Sequence, residues 1–381
     1  MVVATCAPAQ NWTQTTAPTT NWSSIASSAD GSKLIATVKG LFSDNVPIYI
    51  TTNAGVTWRQ SIAPLTNDYW LSVASSADGG RLVASSGAGV YTSTNFGADW
   101  LYQANHRFSS LASSADGTRL IGAESFNVYT STNSGAAWQL ADVSGACVAS
   151  SADGTKLATA YFAYPGHPLG GIFTSTNAGL DWTPTSAPID GWTALASSAD
   201  GLKLGATIGQ TSFPTGPGPI FVSTNGGGTW QVSGSLTSYW YSVASSADGA
   251  TLVASGSAGT YTSADAGNNW SRVTNVPPGL NGRAYASCSA DGQTLAVALE
   301  GGGIWISRTT PAPSLNLARA GTKVLVSWTV PSLDFVLQQN PNLSETNWTD
   351  VPISPVLNLT NLQQEVIAPQ AAGMRFFRLK H

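Results

Sequence analysis

The 381-residue chain has room for one large domain and a small one, and its 42% hydrophobic content is enough for a substantial core. Only 9% of residues are charged, against roughly 25% in an average globular protein, and Ser, Thr, Asn and Gly fill the polar positions, as in repetitive extracellular β-proteins. A net charge of −4 with no basic cluster argues against nucleic acid, and no run of about 18 apolar residues is present to span a membrane.

The chain opens MVVATC, with five residues before Cys6, too few for a signal peptide; a secreted or cell-envelope location therefore rests on composition alone. The next segment, AQNWTQTT, carries Trp12. From there the sequence repeats itself. S-A-D-G recurs seven times, with Asp30, Asp78, Asp116, Asp153, Asp200, Asp248 and Asp291 in register at spacings of 37 to 48 residues. A second string, S/T-T/A-N/D-x-G-x-x-W, recurs six times and ends at Trp58, Trp100, Trp138, Trp182, Trp230 and Trp270. Its polar residue is Asn53, Asn95, Asn133, Asn177, Asn225 or Asp265.

Each unit reads as four short strands. In the second unit these are WLSVASS, RLVASS, GVYTST and DWLYQA, separated by ADGG, a short loop and NFGA. Alternating apolar and small polar residues suit half-buried strands, and A-D-G suits a tight reversal, because Asp bonds its own backbone and Gly takes positive φ. Four strands at a period of about 40–45 residues predict a β-propeller. After Asp291 two strands follow, QTLAVAL and GGIWISRTT, with no closing tryptophan. Trp12 lies 18 residues before Asp30, the separation that also holds between Trp182 and Asp200. The N-terminal strand is therefore expected to complete the seventh blade, which removes two exposed sheet edges.

The repeats stop at Pro311-Ala312-Pro313, and KVLVSW, FVLQQN, QQEVIA and MRFFRLK then read as strands. The expected organisation is all-β: a seven-bladed propeller over residues 8–310 and a small β-sandwich-like domain over 314–381. Three cysteines, Cys6, Cys147 and Cys288, with no CxxC spacing, indicate neither a metal site nor a disulfide framework. The last two fall on inner strands of different blades.

The second string resembles the Asp box of BNR-like propellers, with Asn in place of Asp in five of six copies. Sialidases, xyloglucanases, the sortilin ectodomain and the photosystem II assembly factor are similar in repeat style. The resemblance implies the fold but no reaction, since the box is a structural element in all of them. The tail resembles small fibronectin-like domains of secreted bacterial proteins, most specifically in RFFRL; sorting, anchoring or spacing is the role this implies.

Loop lengths assign a functional face. First-to-second and third-to-fourth strand turns belong on one face and scarcely vary. Second-to-third loops and blade-to-blade connections belong on the other, where KGLFSDNVP, YFAYPGHPLG and GQTSFPTGPGP are inserted. Variable loops on a fixed scaffold commonly carry binding. Eight residues before each A-D-G aspartate stand Trp22, Trp70, Phe108, Gly145, Trp192, Trp240 and Arg283, expected to ring the channel mouth. Two roles suit these rings: packing between blades, or, with Tyr69 and Tyr239 alongside, an aromatic platform for a planar or sugar ligand.

A glycosidase needs two carboxylates about 5–10 Å apart on that face. Asp44, Asp68, Asp190, Glu124 and Glu300 are available, but are expected to be dispersed over blades. The local group with most chemical promise is His106, Arg107 and Glu124 of blade 3 with Tyr164 and His167 of blade 4. A His or Tyr base and an Arg neutralising a carboxylate would suit elimination from a uronate polysaccharide. Two histidines without an adjacent carboxylate pair make a poor metal site, and no cofactor is implied. The leading expectation is a secreted, monomeric, non-catalytic propeller binding a glycan or protein on the variable face. A polysaccharide lyase or glycoside hydrolase using that face, and an assembly or scaffold factor, are the alternatives.

Overall fold

A computed structural model describes residues 11–40, 46–62, 69–161, 170–209, 216–309, 315–320, 323–329, 336–341, 347–358, 360, 363–369 and 375–380. No α-helix occurs among them, and no helix is long and apolar enough to cross a membrane. Five four-stranded antiparallel sheets follow one another through residues 70–272, each built from strands in sequence order. An eight-stranded sheet holds the first and last units, Thr20–Gln60 and Ala284–Arg308, joined where Asn21 pairs with Glu300. The described residues thus make seven four-stranded units. The outermost strand of the last is Trp12–Gln14, where Trp12 pairs with Ser307 and Gln14 with Trp305, so the N-terminus completes that blade as the spacing predicts.

The repeated turns supply the local reason for this fold. In blade 3 the Asp116 carboxylate accepts from the Ser114 hydroxyl at 2.6 Å, the Thr118 amide at 3.0 Å and the Thr118 hydroxyl at 2.7 Å. Gly117 follows with φ +72°. The Asn turns work similarly. Asn95 Oδ1 accepts the Asp99 amide, the Ser93 hydroxyl accepts the Gly97 amide, and Phe96 and Gly97 both take positive φ. Each such turn leans on the A-D-G turn of its own blade, as when the Phe96 amide donates to the Gly80 carbonyl. Both invariant turns therefore lie on one face, leaving the long loops to the other.

The blades are tied at the centre by the alanines of the A-D-G strings. Ala29 donates its amide to the Ala77 carbonyl, and the pattern runs through Ala115, Ala152, Ala199, Ala247 and Ala290 back to Ala29, at 2.6–2.8 Å throughout. These hydrogen bonds form a closed circle around the channel. Inner strands are also riveted sideways: the Ser24, Ser72, Ser110 and Ser242 hydroxyls accept amides of the following blade.

The described residues between 316 and 380 form two further sheets around a separate core of Val326, Trp328, Leu337 and Val366. Residues 376–379 of the RFFRL segment lie in the strand Phe376–Lys380, paired with Val336–Asn340. Leu357 of this region packs against the alanine circle of the propeller.

Candidate functional site

The rings expected at the channel mouth are not at the surface. Trp22, Trp70, Phe108, Trp192 and Trp240 are 0–1% exposed, so none offers a face to a ligand, and the aromatic-platform expectation is corrected for these five. A β-bulge follows each of the four tryptophans, shifting register between Trp22 and Ser24, Trp70 and Ser72, Trp192 and Ala194, and Trp240 and Ser242. One extra residue re-aims a side chain, and here the ring enters a joint between blades. Three of the indoles then anchor loops of the preceding blade. Trp22 donates to the Gly302 carbonyl, Trp70 to Val46 and Trp240 to Gly218, at 2.9–3.0 Å. These three indoles thus hold described ends of the second-to-third loops. Gly145 holds the same register in blade 4, where any Cβ would collide with the Thr159 hydroxyl.

Tyr69 and Tyr239 are half-buried, and their carbonyls accept the Gly87 and Ser257 amides of the adjoining second-to-third loops. Arg283, the seventh member of the register, is different. Its side chain is 43% exposed, lies over the Tyr241 ring at 5.7 Å, and places Nη1 3.8 Å from Glu300 Oε2. Lys39 approaches the other oxygen, Oε1, at 3.9 Å. The Glu300 carboxylate is largely buried, and Oε2 accepts no hydrogen bond among the described residues. One buried carboxylate thus sits beneath two exposed cations, each too far for a close charge-assisted hydrogen bond. Tyr285 is packed beside them. Burial, reinforced by the Glu300 charge and partly opposed by Arg283, pushes its phenol up to about 12, so it stays a neutral donor. A cavity of about 400 Å³ adjoins Glu300 and is bounded by Gln14, Pro278, Leu280 and Trp305. Lys39, Tyr241 and Tyr285 escaped sequence reasoning; Lys39 lies at the root of the first inserted loop, a position that could have drawn notice.

In blade 3 the expected neighbours meet. His106 Nδ1 lies 3.0 Å from Glu124 Oε2, with both side chains about one-quarter exposed. The imidazole stacks on Phe108 at 5.1 Å and 17° and touches Tyr129 at 4.4 Å. Glu124 ends the second strand and pairs with Asn127 across a two-residue turn, Ser125-Phe126, whose residues both take positive φ. Arg107 points to solvent. Tyr164 and His167 lie outside the described residues, as do Asp44 and Asp68. Asp190 serves its own backbone: its carboxylate accepts the Gly191 amide at 2.7 Å and its carbonyl the Trp192 amide. Glu124 and Glu300 belong to blades 3 and 7, which are not neighbours in the ring.

The thiols are inert by position. Cys147 is buried and burial pushes it up to about 12; burial likewise raises Cys288 well above the ordinary thiol range, helped by the charges of Asp291 and Asp248. Cys6 is outside the described residues. No group of three or more His, Cys, Asp or Glu that could hold a metal occurs among the described residues.

No family model and no curated relative matches the sequence. Solved β-propellers do match the structure. Hydrazine synthase from Kuenenia stuttgartiensis superposes with a TM-score of 0.58 at 14% identity, covering 78% of this chain and 97% of that one. YCF48 bound to D1 peptide gives 0.54 at 14% identity, with 82% and 97% covered. An ancestral GH74 enzyme gives 0.54 at 14% identity, with 84% of this chain and 53% of that one covered. At such identities the likeness establishes the propeller fold and nothing about chemistry.

Proposed function

We propose that this chain is a secreted, monomeric recognition propeller of the Asp-box type, working without catalysis or cofactor, that binds a glycan or a protein on the face bearing the long second-to-third strand loops. One observation carries this reading. The two described glutamates of that face are held singly in non-adjacent blades, Glu124 by His106 and Glu300 between Lys39 and Arg283. A paired-carboxylate glycosidase is thereby disfavoured, whereas exposed cations above a buried counter-charge suit ligand recognition. The scarcity of charge and the abundance of small polar residues support secretion. We read residues 8–310 as the recognition domain and 314–381 as a small appended one for sorting, anchoring or spacing.

Binding and catalysis both have precedent on this fold, since one structural neighbour is bound to a peptide and another is a GH74 enzyme. A catalytic reading is favoured by the 3.0 Å His106–Glu124 contact, a base held in place by a carboxylate. Glycan and peptide arrays probed with the intact protein, followed by product analysis, separate these readings. Saturable binding with unchanged ligand is expected. New reducing ends or unsaturated uronates, abolished by Glu124→Gln, would replace recognition by catalysis.

A further inference from the structure

One joint between blades departs from all the others. At three joints the residue three positions after a closing tryptophan accepts the indole of the next blade. Ser61 accepts the Trp100 indole at 2.8 Å, Thr185 that of Trp230 and Ser233 that of Trp270. Elsewhere other devices serve: Thr15 presses on Gly55, Val273 packs with Trp12, and Trp182 turns to the Gly179 carbonyl. Between blades 2 and 3 the position is Gln103, whose amide folds back onto Thr92 of its own blade at 2.7 Å. The facing Trp138 indole is left buried and unpaired, as are those of Trp12 and Trp58 at two other joints. At this joint a cavity of about 350 Å³ opens, whereas the corresponding crevices at blades 3/4 and 5/6 hold about 10 Å³ each.

Two more breaks in the repeat converge on the same cavity. The Asn turns of blades 1, 2, 4 and 5 bind their own Nδ2 to a side chain four residues on, namely Thr57, Asp99, Asp181 and Thr229. In blade 3 that residue is Ala137, so Asn133 Nδ2 lacks this partner. Lys33, Lys156 and Lys203 each donate to an aspartate carbonyl of the next blade, but Arg81 in the same register instead donates one Nη to Ser134, leaving further guanidinium donors. Asp99 engages Asn95 through Oδ2 and keeps Oδ1 as an acceptor. Arg81, Asp99, Gln103 and Asn133 all line the cavity, with Leu101 and Leu120 as apolar surface.

We propose that the crevice between blades 2 and 3 is a binding site for a neutral sugar, one or two rings in size. Its volume lies at the lower end of the roughly 300–1,000 Å³ typical of small-molecule sites. Opposite charges on Arg81 and Asp99 cancel, which removes a preference for an ionic ligand. Donors and an acceptor set above leucine side chains match the alternating hydroxyls and C–H faces of a pyranose. The site lies between the turn-side ends of blades 2 and 3, and it stands independently of the variable-face reading.

The full chain titrated with glucose, galactose, xylose and their β-1,4-linked disaccharides, followed by ligand-observed NMR, tests the site. At least one sugar is expected to saturate. Gln103→Ser removes an amide that lines the crevice and places there the hydroxyl that pairs with the facing indole at three other joints. Sugar affinity should fall at least about tenfold while the thermal midpoint holds or rises. Asp99→Ala, at an exposed position, should weaken binding about fivefold or more. The proposal is overturned if no sugar saturates, if affinity survives both substitutions, or if glycylglycine binds equally well, since a zwitterion would then be what Arg81 and Asp99 read. Sugar binding that survives Gln103→Ser but is lost in Lys39→Ala belongs to the variable face, and it overturns this site while sustaining the other.

Discussion

The two faces of the ring use polar side chains in opposite ways. On the turn face every A-D-G aspartate and every described Asn or Asp of the second string accepts an amide and a hydroxyl from within a few residues, so polarity there is converted into backbone geometry. On the loop face Glu124 and Glu300 meet groups far away in sequence, and Lys39 and Arg283 stay exposed above theirs. A repeated residue can only make a repeated contact. Chemistry that serves a ligand must therefore come from residues that interrupt the pattern.

Substitutions sharpen that contrast, and the largest effect belongs to neither face. Trp70→Ala or Trp240→Ala empties a fully buried site between blades and should cost about 3–5 kcal/mol in urea unfolding. A loss below 1 kcal/mol would return these rings to a ligand-binding role. Next comes Asp291, the exception on the turn face. Burial, with the charge of Asp248 adding to it and the Ser289 and Gln293 hydrogen bonds opposing, raises its carboxyl to about 7, and Oδ2 is unpaired. The folded carboxyl holds its proton more tightly than the unfolded one. Its contribution therefore favours folding at low pH and is lost as pH rises through about 7. Asp291→Asn should raise stability by roughly 2 kcal/mol at pH 8 and by little at pH 4, read from paired denaturant curves.

Asp116→Ala removes three turn hydrogen bonds and should cost about 1–2 kcal/mol. Asp116 also behaves in the opposite sense with pH. Burial works against its ionisation, but the Ser114 and Thr118 hydrogen bonds outweigh it and hold the carboxyl below the ordinary range, so its support is lost as pH falls through the folded value. Smallest should be His106→Ala and Lys39→Ala on the loop face, within about 0.5 kcal/mol of wild type. A cost near that of Asp116→Ala would make those residues scaffold and erase the distinction between faces.

The ring itself was legible because self-similarity survives any uncertainty about single strands. Trp12 could be assigned to the last blade from spacing alone, and it pairs there with Ser307. The side chains at the inner-strand starts were not legible, because a β-bulge leaves no mark in composition or alternation while reversing the direction of Trp22 or Trp70. His106 and Glu124 could be brought together because both belong to one blade. The Lys39–Glu300–Arg283 group joins the two ends of the circle, a proximity that exists only once the ring has closed. Gln103 and Ala137 were visible as departures from register, but their meaning depends on what the other joints do with the same positions.

Leu357 gives the alanine circle a second duty. Its isobutyl group packs against the circle, near a serine- and alanine-lined hollow of about 150 Å³. The ring of amide hydrogen bonds that ties the blades together is therefore also a contact surface for the small C-terminal sheets.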